Sequence, residues 1–111
     1  MVRLVRGRSD ATNEGLIQVY YNGAWGTVCD DGFDDADATV VCRQLGFGGG
    51  RAVGGSATFG AGDSSLGAIT LDDVACSGTE QHIGQCGRRN SAWLSHDCQH
   101  SEDAGVICRG G

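Results

Sequence analysis

The spacing of hydrophobic residues in this chain indicates one clear α-helix, over about residues 34–45. Four apolar positions recur at intervals of three and four residues, so they share one helical face. They are Ala38, Val41, Cys42 and Leu45. Because Cys42 lies on this face, we expect its side chain to point into the core and to pair with a distant part of the chain.

Acidic residues mark the beginning of this helix. Asp34 is a favourable N-cap, and Asp35 and Asp37 fall in the first turn, where the helix dipole stabilises negative charge. We therefore assign these three aspartates to helix capping. Gly46 is suited to ending the helix.

Residues typical of β-strands surround the helix. Residues 2–5 alternate apolar and basic, which predicts an edge strand, and residues 16–21 and 24–28 flank the dipeptide Asn22-Gly23. That dipeptide is a strong signal for a two-residue hairpin turn. Further strands are predicted at residues 68–74 and 105–108.

Two segments have weaker signals. Residues 47–67 are rich in glycine and without clear periodicity, and we predict an extended surface loop there with a short strand near residues 57–59. Thr79 is a candidate cap for a short second helix over about residues 79–85.

The number and spacing of the cysteines indicate how the fold is stabilised. The 111-residue chain has 20 glycines, no proline and six cysteines, and its closest two cysteines are 10 residues apart. Structural zinc sites use closer pairs, so we expect three disulfides and an oxidising, extracellular compartment. The pattern itself leaves the pairing open.

We expect one domain over residues 1–111, with its core at about residues 2–108, that belongs to a larger extracellular protein.

The formal net charge of −6 argues against a general nucleic-acid-binding surface. All eight basic residues are arginine. Arginine is suited to bidentate recognition of carboxylates, sulfates and phosphates.

Four ordered motifs resemble the scavenger receptor cysteine-rich (SRCR) family over nearly the whole chain. They are WGTVCDD at residues 25–31, DATVVCRQLG at 37–46, LDDVACSG at 71–78 and HSEDAGVIC at 100–108. Eight-cysteine members carry a cysteine at the position of Phe47, so this chain resembles the six-cysteine, group A-like pattern.

The resemblance implies an α+β fold, in which a curved antiparallel sheet packs around the main helix and three disulfides cross-link the chain. The implied pairs are Cys29–Cys98, Cys42–Cys108 and Cys76–Cys86.

Acidic residues beside the cysteines predict a cation site, since hard divalent cations require several oxygen ligands. If Cys29 pairs with Cys98, the neighbouring acids Asp30, Asp31 and Asp97 come close together. The resemblance implies two sites for Ca²⁺, one of which could take Mg²⁺. The first uses Asp30, Asp31 and Glu102, and the second uses Asp31, Asp72, Asp73 and Asp97. The alternative is that these acids form a solvated rim.

Arg88 and Arg89 could bind an anionic ligand beside the cations, or could be ordinary solubilising residues. Trp25 and Trp93 are interpreted as core residues. His96 and His100 are four residues apart, but no helical pattern surrounds them, so we do not assign a zinc site.

No catalytic motif is present, and we expect a domain that is not an enzyme. The first hypothesis is an extracellular recognition module of scavenger-receptor type in innate immunity. It would bind anionic or protein ligands in a Ca²⁺- or Mg²⁺-dependent way, with no nucleic-acid specificity and no membrane insertion. The alternative is a metal-independent protein–protein interaction domain of a receptor or secreted enzyme, using Phe47, Phe59 and Leu66.

Overall fold

The architecture is that of a computed structural model, which describes residues 2–7, 12–21, 23–30, 33–54, 59–60, 62, 64–71, 74–88 and 98–110. Its elements are β1 (Val2–Val5), β2 (Glu14–Tyr21), β3 (Ala24–Val28), α1 (Asp35–Gln44), β4 (Gly49–Gly54), β5 (Ile69–Leu71), β6 (Val74–Ala75), β7 (Gly87–Arg88) and β8 (Ala104–Arg109). Short 3₁₀ turns lie at Ser64–Leu66, Ile83–Gln85 and His100–Glu102. Among the helices of the described residues, none combines the length and hydrophobicity that crossing a bilayer requires.

The main sheet has six strands, in the order β4-β8-β2-β3-β5, with β1 also paired to β2. The hairpin of β2 and β3 is confirmed, because Tyr21 pairs with Ala24 across a two-residue turn. Gly23 has a φ of 88°, a left-handed conformation that glycine adopts without steric cost. All pairs in this sheet are antiparallel except β3 with β5, which is parallel.

Helix α1 begins where the sequence predicts, because two aspartates cap each other. The Asp34 side chain accepts a hydrogen bond from the Asp37 backbone N–H at 3.1 Å, and the Asp37 side chain accepts one from the Asp34 N–H at 2.7 Å. This reciprocal arrangement is a capping box. The helix packs on β4 and β8, and its apolar face supplies much of the core.

All three disulfide pairs are confirmed. They are Cys29–Cys98, Cys42–Cys108 and Cys76–Cys86. Cys42 is fully buried, as its place on the helical face predicts, and its bond ties α1 to β8.

The prediction of an extended loop over residues 47–67 is wrong at its beginning. Strand β4 pairs with β8 along its whole length, although three of its six residues are glycine. A Cβ atom at Gly50 would overlap Cys42 Sγ and would lie 2.8 Å from Ile107 O. Glycine is therefore what lets the strand lie against the disulfide. Residues 57–58 of the predicted strand lie outside the described residues, and Phe59 lies in a turn.

The prediction of a helix over residues 79–85 is also wrong. Only the 3₁₀ turn Ile83–Gln85 forms there, and Thr79 does not cap it. The reason is Glu80, whose carboxylate turns back to accept the N–H groups of Ser77 and Gly78. These backbone bonds, that from Ser77 first, lower the pKa of Glu80 to about 2.

The predicted strand at residues 68–74 is shorter than expected and is followed by a separate small sheet. Strand β5 ends at Leu71, whereas Val74 belongs to β6 and pairs with Arg88 of β7. The last strand, predicted at residues 105–108, is confirmed and extends to residues 104–109.

Candidate cation site at the Cys29–Cys98 bridge

The candidate site lies where β3 ends and β8 begins. Cys29 follows β3 and forms an isolated β-bridge with Asp103, which precedes β8. Directly beside it, the Asp30 backbone N–H donates to Glu102 O at 2.7 Å. The Cys29–Cys98 bond, with a Cα–Cα distance of 6.3 Å, fastens the same two segments covalently. Asp30 and Glu102 are therefore brought together from 72 residues apart in sequence.

The carboxylate of Glu102 lies against this disulfide. One of its oxygens and the two sulfur atoms all lie within 4.8 Å of one another. The sulfurs are not candidate ligands, because metal binding by cysteine requires a thiolate. Glu102 Oε1 accepts the Gln99 N–H at 3.2 Å, which orients the carboxylate. A carboxylate can accept from more than one partner, so Glu102 remains able to contribute to a cation site.

A second acid, Asp103, is buried next to this site and was missed by the sequence analysis. It is 1% exposed, accepts a hydrogen bond from Thr27 Oγ1 at 2.8 Å and shares another with the His100 ring, whose Nδ1 lies 2.7 Å from Asp103 Oδ2. Burial raises the pKa of Asp103, against the opposing effect of these partners. No sequence signal marked it, because its burial depends on the distant segment at Gly62. A Cβ atom at Gly62 would overlap the Asp103 carboxylate.

Comparison with known proteins identifies the family to which this chain belongs. The family model of the scavenger receptor cysteine-rich domain matches residues 6–109. The chain belongs to the SRCR family.

Two curated SRCR proteins match almost all of this chain. An SRCR domain superfamily protein of Patiria pectinifera is 52% identical over 109 residues, which are 98% of this chain and 9% of that protein. The macrophage receptor MARCO of Mesocricetus auratus is 50% identical over 108 residues, which are 97% of this chain and 20% of that receptor. The chain therefore spans 9% of the length of one of these relatives and 20% of the other.

Solved SRCR structures have the same fold. The dimeric form of the SRCR domain of mouse MARCO is 47% identical with a TM-score of 0.75, covering 86% of each chain. The third SRCR domain of murine neurotrypsin is 45% identical with a TM-score of 0.83, covering 97% of this chain and 94% of that one. The sheet, main helix and three disulfides expected of an SRCR fold are thus confirmed.

The structure describes two of the six predicted cation ligands. Asp30 and Glu102 are half-buried neighbours on the bridge. The other predicted cation ligands, Asp31, Asp72, Asp73 and Asp97, lie outside the described residues, as do Arg89, Trp93 and His96. Arg88 is on β7, but its side chain is not among those described. Both predicted cation sites therefore stay predictions.

Two interpretations of apolar residues need correction. Trp25 is half-buried rather than a core residue, and it lies between Arg3 and Tyr20 on an outer face of the sheet. The residues suggested for a protein-binding surface are also partly covered. Phe47 packs against the main core, and Phe59 covers Gly105 so closely that a Cβ there would lie 2.8 Å from its ring.

Proposed function

We propose that this SRCR domain is an extracellular ligand-recognition module, without catalytic activity, whose binding depends on Ca²⁺, with Mg²⁺ able to replace it at one of two sites. Three disulfides support an oxidising compartment. The similarity to the SRCR domain of the macrophage receptor MARCO supports a receptor-type role.

The observation that carries the proposal is the backbone hydrogen bond from Asp30 to Glu102 beside the Cys29–Cys98 bridge. It brings two oxygen-bearing side chains to one end of the sheet. The parallel strands β3 and β5 end side by side there, with Val28 paired to Leu71. Asp31 follows Asp30 in sequence, and Asp72 follows Leu71. A set of carboxylates is the ligand chemistry that Ca²⁺ prefers.

A bound divalent cation with an open coordination position would supply direct contact to a carboxylate, sulfate or phosphate of the ligand. In this proposal Asp30, Asp31 and Glu102 hold one ion, and Asp31, Asp72, Asp73 and Asp97 hold the other. Two divalent ions would bring the formal charge from −6 to about −2, which lessens the repulsion of anionic ligands. Arg88 and Arg89 would add a charged contact beside the ions.

The test is calcium titration of metal-free protein, in which calorimetry measures the heat of binding and thermal unfolding measures the change in Tm. A site with a Kd of about 1 mM would raise the free energy of unfolding by about 1.4 kcal/mol at about 10 mM Ca²⁺. Glu102→Gln removes the charge but keeps an acceptor for the Gln99 N–H. Asp35→Asn is the matched control, because it makes the same charge change and keeps an acceptor for the Ala52 N–H.

We expect the response to calcium to be largely lost in Glu102→Gln and retained in Asp35→Asn. If about 10 mM Ca²⁺ produces no heat of binding and no rise in Tm, the proposal of a cation-dependent module is contradicted. Ligand binding that survives chelation with EDTA would instead support a metal-independent interaction domain.

A further inference from the structure

We propose that the Cys76–Cys86 disulfide is a redox-sensitive bond, which an external dithiol reduces by attack on Cys76 while the other two disulfides stay intact. Its reduction releases residues 76–86 from helix α1 and leaves the main sheet folded. We call these residues the 76–86 segment. The proposal does not depend on the candidate cation site, which lies at the Cys29–Cys98 bond.

Exposure distinguishes this bond from the other two disulfides. All six cysteines lie within the described residues, and Cys76 is the only one of them that is not buried. Thiol–disulfide exchange requires a thiolate to reach one of the two sulfur atoms, so its rate depends on access. The Cys42–Cys108 bond is the best protected, since the exposed fractions of its two residues are 0% and 1%. We therefore expect an external thiol to reach Cys76 Sγ first.

The charge beside the sulfur atoms does not make this distinction. An oxygen of the Glu80 carboxylate and both sulfurs of the Cys76–Cys86 bond lie within 4.8 Å of one another. A Glu102 oxygen lies within the same distance of the sulfurs of the Cys29–Cys98 bond. Both carboxylates repel an approaching thiolate, so the difference in exposure decides which of these bonds reacts first.

The bond holds a part of the fold that has little other support. Cys76 follows β6 and Cys86 precedes β7, and these two strands form a separate sheet with only two residue pairs. Within the described residues, neither strand pairs with the main sheet. A two-stranded sheet of this size is not stable in isolation. The disulfide therefore fastens the base of the 76–86 segment.

The remaining attachments of the segment are to helix α1. Among the described contacts, three hydrogen bonds connect it to α1 side chains. They join Asp37 to the Cys76 N–H at 2.6 Å, Gln44 to the Ile83 N–H at 3.1 Å, and Arg43 to Gly78 O at 2.5 Å. The Ile83 side chain is buried in the main core. Release of the segment therefore breaks these three bonds and exposes Ile83.

A cleft weakens the packing of the segment on one side. It has a volume of about 200 Å³ and lies between the end of β2 and the segment, where Tyr21, Gln44, His82 and Ile83 line it. Side chains that border open space lack the van der Waals contacts of a close-packed interface. Packing on this side therefore opposes the release of the segment only weakly.

The reaction needs a dithiol as the reductant. One of its thiolates attacks Cys76 Sγ and forms a mixed disulfide, and Cys86 leaves as a thiolate that takes up a proton. The second thiol of the reductant loses its proton and attacks the reductant's sulfur in the mixed disulfide, which releases Cys76 as a thiol. The domain gains two electrons and two protons, and the dithiol is oxidised to a disulfide.

The first test measures which bond is reduced, with dithiothreitol or reduced thioredoxin at equal concentration. Free thiols are alkylated at successive times, and mass spectrometry identifies the alkylated cysteines. We expect Cys76 and Cys86 to be alkylated about tenfold faster than the other four cysteines. Faster reduction by thioredoxin identifies a protein dithiol as the natural class of reductant, and faster reduction by dithiothreitol identifies a small one.

A second measurement identifies the sulfur that is attacked. A thioredoxin variant without its second active-site cysteine cannot complete the exchange, so it stays bonded to the cysteine that it attacks. We expect this cysteine to be Cys76. Proteolytic cleavage after Glu80 separates Cys76 from Cys86 and shows which of them carries the thioredoxin.

Hydrogen exchange measures whether the segment is released. We expect the amides of Cys76 and Ile83 to lose protection after reduction, whereas the amides of β2 and β8 keep it. Cys76→Ala/Cys86→Ala is the matched variant, which is expected to show the same exchange pattern without a reductant and no further change with it. Reduction of another disulfide first, simultaneous reduction of all three, or unchanged protection of the two amides would overturn the proposal. Neither measurement uses calcium, so the result is separate from the test of the cation site.

Discussion

At the scale of single residues, Asp37 connects helix α1 to the segment that carries the third disulfide. Its carboxylate accepts backbone N–H groups from Asp34 and, at 2.6 Å, from Cys76. Burial, with a smaller contribution from the nearby Asp34 carboxylate, raises the pKa of Asp37 to about 6, against the lowering effect of the two backbone bonds. A residue that a helical pattern marks only as a first-turn acid is thus also a tertiary contact.

The raised pKa of Asp37 predicts a pH dependence of stability. Because the folded state binds this proton more tightly than the unfolded state, the contribution is fully present below about pH 4 and lost as pH rises through about 6. Asp37→Asn removes the titration. We expect the stability of the wild type relative to this variant to fall by about 2–3 kcal/mol between pH 4 and pH 7. Urea unfolding at both pH values measures it.

Asp35→Asn is the control for this pH dependence, since it removes an equal charge from the same helical turn at an exposed position. It is expected to keep the pH dependence of the wild type. A difference between wild type and Asp37→Asn that stays constant with pH would show that Asp37 does not titrate in this range.

At the scale of secondary-structure elements, glycine explains strand β4 and supplies a sharp test. Alanine at Gly50 would force its Cβ against Cys42 Sγ and the Ile107 carbonyl, and we expect a loss of about 2 kcal/mol. Gly54, at the end of the same strand, has no atom within 4 Å of the position that a Cβ would occupy, and its φ is not in the left-handed region. Gly54→Ala is therefore expected to be neutral, or stabilising by about 0.5 kcal/mol.

Denaturant unfolding with the disulfides intact compares these two glycine variants. Equal stability of Gly50→Ala and Gly54→Ala would mean that β4 can move away from the Cys42–Cys108 bond without cost.

The elements that sequence reasoning predicted well are those with local signals. The periodicity of α1 with its acidic cap, and the Asn22-Gly23 turn, determine structure within a few residues. Strand β4 could not be predicted in this way, because its glycines carry no pattern and its partner β8 lies about 55 residues away. The helix predicted over residues 79–85 does not form for a different reason, since the Glu80 side chain competes with the helix for backbone N–H groups.

At the scale of the whole molecule, the acidic residues could be predicted as a group, but only the fold brings Asp30 to Glu102. The contact needs β3 and β8 to meet at Cys29 and Asp103, which no local pattern encodes. The motif resemblance supplied the missing information, because it implied the Cys29–Cys98 pair.

Two of the disulfides are expected to contribute similarly to stability but differently to calcium binding. The Cys29–Cys98 and Cys76–Cys86 bonds join residues 69 and 10 positions apart. In the chain-entropy model these loops correspond to about 4 and about 3 kcal/mol of stability. The two losses are similar in size, so stability alone separates the bonds poorly. Only the first bond touches the candidate cation site, where its sulfurs lie beside the Glu102 carboxylate.

Replacing each cysteine pair with alanine separates the contribution of that bond to stability from its contribution to calcium binding. We expect Cys76→Ala/Cys86→Ala to lose stability but to keep the heat of calcium binding, because the ends of β3 and β8 remain fastened. Cys29→Ala/Cys98→Ala is expected to lose stability and most of the calcium response together, since the acids are no longer held on one bridge. Calorimetry at about 10 °C, near the stability maximum of small domains, keeps both variants folded for the comparison. Equal calcium responses in the two double variants would mean that the backbone contact between Asp30 and Glu102 maintains the site without the covalent bond.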